Sequence, residues 1–171
     1  MENLLSGIQA VLTTTPSRWL ALTGSVSTEL LARPPATQEW SALECLQHLV
    51  DTERWVFPVR VQAFLARQDL QAFDPDRQGT KFDPQRPAPE LAAEFAQLRT
   101  ASLATFTSIT QSDLSRRARH SELGEVTLSE LIHEWAAHDL MHTVQAERAL
   151  MQPFIQGCGP WQSYFVDHVV K

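Results

Sequence analysis

Trp40-Ser41-Ala42-Leu43-Glu44-Cys45-Leu46-Gln47-His48-Leu49 is the stretch whose reading decides the fold. Ser41 followed three residues later by Glu44 is a capping box: the hydroxyl accepts from the third helical N–H and the carboxylate reaches back to the N–H of the cap residue. Trp40 stands just before the cap, in the place of a hydrophobic staple. A helix is therefore predicted from about Ala42 to about Arg67, with Leu46, Leu49, Val56, Phe57 and Phe64 recurring at near-helical spacing. The same device returns at Thr127-Leu128-Ser129-Glu130 and predicts a helix running to about Leu150, ended by Pro153 and Gly157.

Working outward, Pro89 suits a first helical turn, and Phe95, Leu98, Leu103 and Phe106 carry a third helix to about Thr110. The amino-terminal region reads as a broken helix. Leu4, Leu5, Ile8, Val11 and Leu12 form one stripe, Thr15-Pro16 restarts it as cap and first residue, and Gly24 interrupts it again. Residues 68–88 hold Asp74-Pro75, Gly79, Asp83-Pro84 and Pro87, which reads as a long irregular crossover. Such a segment returns the chain to the other end of a bundle, so the second and third main helices run parallel. The expected class is all-α, a four-helix bundle with its long crossover between helices 2 and 3. No strand-like alternation is long enough to build a sheet.

Composition narrows the functional classes. The 171 residues are enough for one domain over residues 1–171 with a substantial core, 43% of them apolar. No apolar run approaches the roughly 20 residues that cross a bilayer. Met1-Glu2-Asn3-Leu4-Leu5 lacks the basic and apolar regions of a signal peptide. Cys45 and Cys158 make no disulfide framework, which points to the cytoplasm. With a net charge of −6 and only the short cluster Arg116-Arg117-Ala118-Arg119, read as a solvated connection, nucleic acid is not the expected partner. The tail from Pro153 to Lys171, with Phe154, Trp161, Tyr164 and Phe165, is apolar enough to pack on the bundle or on a second subunit.

Chemistry concentrates at three histidines. His138 and His142 are four residues apart and so share one side of a helix. At 100° per residue, His142 falls inside the apolar arc of Leu128, Leu131, Ile132, Trp135, Ala146, Ala149 and Leu150, and His138 falls on its edge. On the helix after Ser41, His48 lies beside the apolar arc, on the flank of Cys45 and Thr52. Three neutral nitrogen donors from two helices suit a metal with open positions, while a hydrogen-bonded packing role is the plainer reading of each histidine alone. The motif is not HExxH, since Asp139 follows His138. Asp139 either braces the helix or orients an imidazole, and the bracing role is preferred. Glu134 is read as a surface carboxylate ahead of a ligand or base, and Glu44 is explained by its cap. His120, His133 and His168 are expected to be exposed or locally bonded. Cys45 reads as a small buried residue, with no nucleophile elbow or phosphate loop elsewhere. Trp40, Trp55, Trp135 and Trp161 read as core or interface, Trp55 also as a wall for a pocket mouth.

At these residues the chain resembles the DinB-like superfamily. The stretch from Trp40 to Leu49 with Asp51-Thr52-Glu53 is similar to its first signature. Gly124-Glu125-Val126-Thr127-Leu128, then His138-Asp139-Leu140-Met141-His142 and Gln145, is similar to its second, and the resemblance spans about residues 1–150. It implies an up-down-down-up bundle, a divalent metal (nickel or zinc) on His48, His138 and His142, and a homodimer. It also implies a small-molecule substrate, with a low-molecular-weight thiol as one choice. Relatives of that kind include thiol S-transferases using bacillithiol and a mycothiol-dependent maleylpyruvate isomerase. Others are described only as metal-dependent hydrolases, and a non-catalytic metal- or ligand-binding stress protein is a third reading.

Overall fold

The computed structural model describes residues 4–170; residues 1–3 and 171, and with them the Met1–Asn3 part of the amino-terminal reading, lie outside the described residues. Both capping boxes form. Helix α3 (Ala42–Trp55) starts after Ser41, whose Oγ accepts from Glu44 N at 3.3 Å while Glu44 Oε2 accepts from Ser41 N at 2.8 Å. Helix α7 (Leu128–Gly157) starts the same way after Thr127, with Glu130 closing the box. The other principal helices are α1 (Leu4–Ser25), α4 (Phe57–Ala66) and α6 (Ala88–Phe106), with single turns α2 (Thr28–Leu31) and α5 (Pro75–Gln78) between them.

Prolines account for most departures from the sequence reading. The helix predicted over 42–67 breaks at Val56 (φ −114°, ψ −76°) into α3 and α4. Pro58 there brings no N–H for the Arg54 carbonyl, and its ring crowds that oxygen. Two other prolines do not break their helices. α1 passes unbroken through Pro16 and Gly24, where a restart and an interruption were predicted. Pro16 deprives the Leu12 carbonyl of its helical donor, and Arg99 Nη1 supplies one at 2.8 Å from α6. The hydroxyls of Thr14 and Thr15 bond back to Ala10 O and Val11 O at 2.8 and 2.9 Å, so the preceding turn stays satisfied. α7 likewise continues through Pro153 to Gly157, seven residues past the predicted end at Leu150. α6 stops at Phe106, short of Thr110.

Two buried clusters reveal the helix directions. One gathers Ile8 and Leu12 from the start of α1, Phe57, Val61 and Phe64 from α4, Phe106 from the end of α6, and Leu128 to Ala136 from the start of α7. The other gathers Trp19 from late α1, Leu43 to Val50 from α3, Ala88 to Phe95 from the start of α6, and Ala146 and Leu150 from late α7. The chain thus runs up in α1, down through α3 and α4, down again in α6 and up in α7. The segment between α4 and α6 is the crossover that makes the two middle passes parallel. Each of α1 and α3 packs on both α6 and α7, closing a four-helix ring. No described helix is long and apolar enough to cross a membrane.

Where only a connection was expected, strands β1 (Arg117–His120) and β2 (Gly124–Thr127) form an antiparallel hairpin, with Arg117 opposite Thr127 and His120 opposite Gly124. Gly124 takes φ +79° at the turn, a left-handed value that glycine adopts without a Cβ penalty. Ala118 and His120 face inward while Arg117 and Arg119 face out. The basic cluster is thereby partly structural: Arg116 is held by Asp113 and the Leu65 carbonyl, and Arg117 pairs with Glu125. Leu70 N donates to Arg119 O at 2.8 Å, tying the start of the crossover to this hairpin. The tail forms a 3-10 helix (Gly159–His168) against α7, fastened by Gln152, yet Phe154, Trp161 and Tyr164 stay exposed.

Candidate metal centre

α3 and α7 are neighbours in the ring, and the three predicted histidines meet between them. His48 Nε2 and His138 Nε2 are 3.0 Å apart, and the ring centroids of the three pairs are separated by 4.5 to 5.0 Å. One donor atom from each of His48, His138 and His142 lies within 4.8 Å of the others, the sole such group among the described residues. His142 is buried, and the other two are half-buried, in keeping with their places inside and beside the apolar arcs.

All three rings are held neutral. Burial, then the neighbouring His142, lowers the pKa of His48 to about 4. Burial lowers His138 to about 3, with the other two histidines and Arg99 adding to it. Burial lowers His142 too, partly offset by its hydrogen bond to Gln145 and by Asp139. Neutral imidazoles are the form that binds a metal, because the lone pair is free of a proton.

The surroundings fix the rings. Gln145 Oε1 lies 2.9 Å from His142 Nδ1, so the amide oxygen accepts that N–H and leaves Nε2 as the donor to a ligand. Trp40 stacks on His142 at 5.7 Å and 20° and tilts onto His48 at 5.1 Å. Phe57 meets His138 edge-on at 5.1 Å, and His138 Nδ1 is buried without a partner. Trp40 was legible as a staple and as a core or interface residue; its contact with both imidazoles depends on how α3 meets α7. A cavity of about 230 Å3 opens beside His48, walled by Trp40, Gln47 and the crossover residues Thr80 and Phe82. Asp51 clasps that wall: its carboxylate accepts from Thr80 N at 2.7 Å, Thr80 Oγ1 at 2.8 Å and Gln47 Nε2 at 3.1 Å. Gly79 is required there, since a Cβ would come within 2.3 Å of the Pro75 carbonyl oxygen.

In donor type the set fits a divalent metal, and the His48–His138 pair fits one in spacing as well. Two neutral imidazole nitrogens 3.0 Å apart need a proton or a cation between their lone pairs. Nitrogens bound to one ion at about 2.1 Å stand about 3.0 Å apart at a right angle and about 3.4 Å apart at the tetrahedral angle. Three such donors leave coordination positions for water or substrate.

Other candidate residues sort by location. Asp139 is fully buried and braces the bundle, its two oxygens accepting from Arg99 Nη1 and Nη2 at 2.7 and 2.9 Å. Arg99 also donates to Glu53 at 2.8 Å and lies over the rings of Phe95 and Trp135, while Trp135 Nε1 donates to Glu53. Burial works against the Arg99 charge, but Asp139 and Glu53 outweigh it and raise its pKa. This cluster was not read from the sequence, although a lone arginine in the stripe of Leu91, Phe95 and Ser102 was its available signal. Glu134 is exposed and Glu44 is engaged in its cap. Burial, with Glu44 second, pushes the Cys45 thiol up to about 12, so it is no nucleophile. His133 is exposed and bonded to Ser129 O, and His168 is exposed. His120 is buried beside Arg60 and locally bonded through Nδ1. Trp55 walls a different cavity, of about 820 Å3, together with Phe73 and Arg60. Trp135 is core, and Trp161 is exposed.

Known proteins agree with this architecture. The pattern of the DinB superfamily matches residues 12–146. YfiT from Bacillus subtilis, described as a probable metal-dependent hydrolase with an unusual four-helix bundle topology, superposes with a TM-score of 0.76 at 16% identity, covering 90% of this chain and 89% of its own. A DinB-like protein of Bacillus subtilis, YjoA, superposes with a TM-score of 0.58 at 17% identity over 86% of this chain and 92% of its own. At these identities the likeness is one of fold. Comparison with curated proteins gives no match.

Proposed function

The chain belongs to the DinB superfamily, and from that footing we propose that it is a divalent-metal enzyme of the small-thiol S-transferase type. His48, His138 and His142 would hold the metal, nickel or zinc. A divalent cation there would lower the pKa of a bound thiol and keep the thiolate facing an electrophile. The observation that carries this reading is a set of three neutral imidazoles with no protein base or nucleophile free beside them among the described residues. Asp139 is committed to Arg99, Asp51 to Thr80, Glu44 to the helix cap, and the Cys45 thiol stays protonated.

The chain's own residues do the positioning. Gln145 fixes the His142 tautomer, Trp40 and Phe57 hold the ring planes, and the Asp51 clasp keeps the crossover against the cavity beside His48. The same reading takes residues 1–171 as one domain, working as a homodimer in the cytoplasm. Incubation of metal-loaded protein with a thiol panel and an activated chloro-aromatic should give metal-dependent conjugation, lost in His142→Ala. Absence of turnover with every thiol would sink the transferase reading. Hydrolysis is the second reading, favoured by the description of YfiT. Metal-dependent cleavage of activated esters, with no conjugation, would select it.

A further inference from the structure

Trp40 also lines a second cavity, of about 750 Å3, that holds none of the three histidines. Its apolar wall is made by Leu140, Met141 and Val144 from the outer face of α7 and Val169 from the tail. Met141 and Val144 are 55% and 56% exposed, a contiguous apolar pair that α7 leaves uncovered. The tail is fastened there, since Val170 N donates to Gln152 Oε1 and Gln152 Nε2 donates to His168 O, both at 3.0 Å.

One cation belongs to this cavity. Arg148 lines it, and the Arg148 Nε is shielded from solvent with no hydrogen-bond partner. Among the described residues Arg148 forms no ion pair; Glu39 also lines the cavity without pairing with it, and the adjacent Glu147 is exposed. A buried guanidinium N–H without an acceptor is costly, and a carboxylate is the ligand that relieves it. Planar N–H donors beside an apolar wall match a molecule with an acid at one end and a hydrocarbon body at the other. The volume lies within the roughly 300–1,000 Å3 of small-molecule sites.

We propose that this cavity binds an amphipathic monocarboxylate, its acid on Arg148 and its apolar body along Leu140, Met141, Val144 and Val169. The site stands independently of the metal and of the reaction proposed above. Its occupancy would nonetheless be felt at His142, because Trp40 stacks on that ring, Gln145 hydrogen-bonds it, and both line the cavity.

The test is calorimetric titration of the full-length protein with octanoate, 1-octanol and acetate. Octanoate should bind at one saturable site, with 1-octanol and acetate each at least tenfold weaker. Arg148→Met should weaken octanoate at least tenfold while leaving the circular dichroism spectrum unchanged, and Glu39→Gln should bind it at least as tightly as the parent. If Arg148→Met fails to fold, the octanoate-to-octanol ratio in the parent protein decides the role of the charge. No saturable octanoate binding at millimolar concentration, or equal affinity in Arg148→Met, overturns the proposal. So does a parental dimer that ignores octanoate and is split by Val144→Glu, which would place a second copy of the chain on this face.

Discussion

The Arg99 cluster and the histidine cluster share helices α3 and α7, in places through adjacent residues, and meet burial in opposite ways. Asp139 follows His138 directly on α7, and Glu53 lies five residues beyond His48 on α3. Around Arg99 the opposite charges meet at 2.7 to 2.9 Å, a tryptophan N–H and a backbone carbonyl join in, and of the cluster's charged side-chain atoms Arg99 Nε and Glu53 Oε1 are left without a partner. At the histidines the three rings are themselves neutral, the Nε2 atoms of His48 and His138 face one another, and capacity remains for a ligand. A closed cluster can tie four helices together; an open one can only work when something fills it. On that contrast the first cluster is proposed to serve stability and the second metal binding, and substitutions can separate them.

The largest effect is expected from Arg99→Leu. It leaves Glu53 and Asp139 buried without their cation, a loss of about 3–5 kcal/mol for a broken buried pair. Denaturant unfolding of the metal-free protein measures it. Recovery of a good part of that loss in Arg99→Leu combined with Glu53→Gln and Asp139→Asn would show that orphaned charge is the cause. A loss under 1 kcal/mol would dissolve the contrast between the clusters.

Next comes His142→Ala, which should weaken metal binding more than 100-fold, about 3 kcal/mol. Metal-free unfolding should move by less than Arg99→Leu moves it. Elemental analysis and competition with a chelator read the first, and the unfolding midpoint the second. Metal held at full stoichiometry would refute the site. Gln145→Ala should cost less, roughly 10–100-fold in metal affinity, since it removes the acceptor that orients one ligand ring rather than the ring itself.

The two clusters were unequally legible in the sequence. His138 and His142 were readable because helical spacing is local, and both capping boxes fix where their helices start, so the inward face could be computed from a few residues. His48 needed a second helix, and its partnership came from the resemblance as well as from periodicity. The Arg99 cluster needed four helices at once: an arginine on α6 declares nothing about Glu53, Asp139 or the Leu12 carbonyl until the ring is closed. The same limit explains Trp40, read as a staple yet stacked on His142. The hairpin escaped because four-residue strands, with arginines on one face, carry no usable alternation. Prolines gave the least consistent signal: Pro58 breaks its helix, whereas Pro16 and Pro153 do not.

Pro16 supplies the smallest and sharpest test. In an ordinary helix interior a proline costs about 3 kcal/mol relative to alanine, through the lost hydrogen bond and the clash with the preceding turn. Pro16→Ala would then stabilise the protein by about that much. Here the carbonyl left without its helical donor is the one that Arg99 uses, 2.8 Å from Nη1, so the missing bond is already replaced. An alanine N–H at position 16 would compete with the guanidinium for the Leu12 oxygen. The expected gain is therefore below about 1 kcal/mol, and in the Arg99→Leu background it should rise, because the carbonyl then has no other donor. Denaturant unfolding of the four proteins in that cycle measures the coupling. A full gain of about 3 kcal/mol in the parent would mean that the Arg99 contact does not offset the proline. The cluster would then lose its hold on α1.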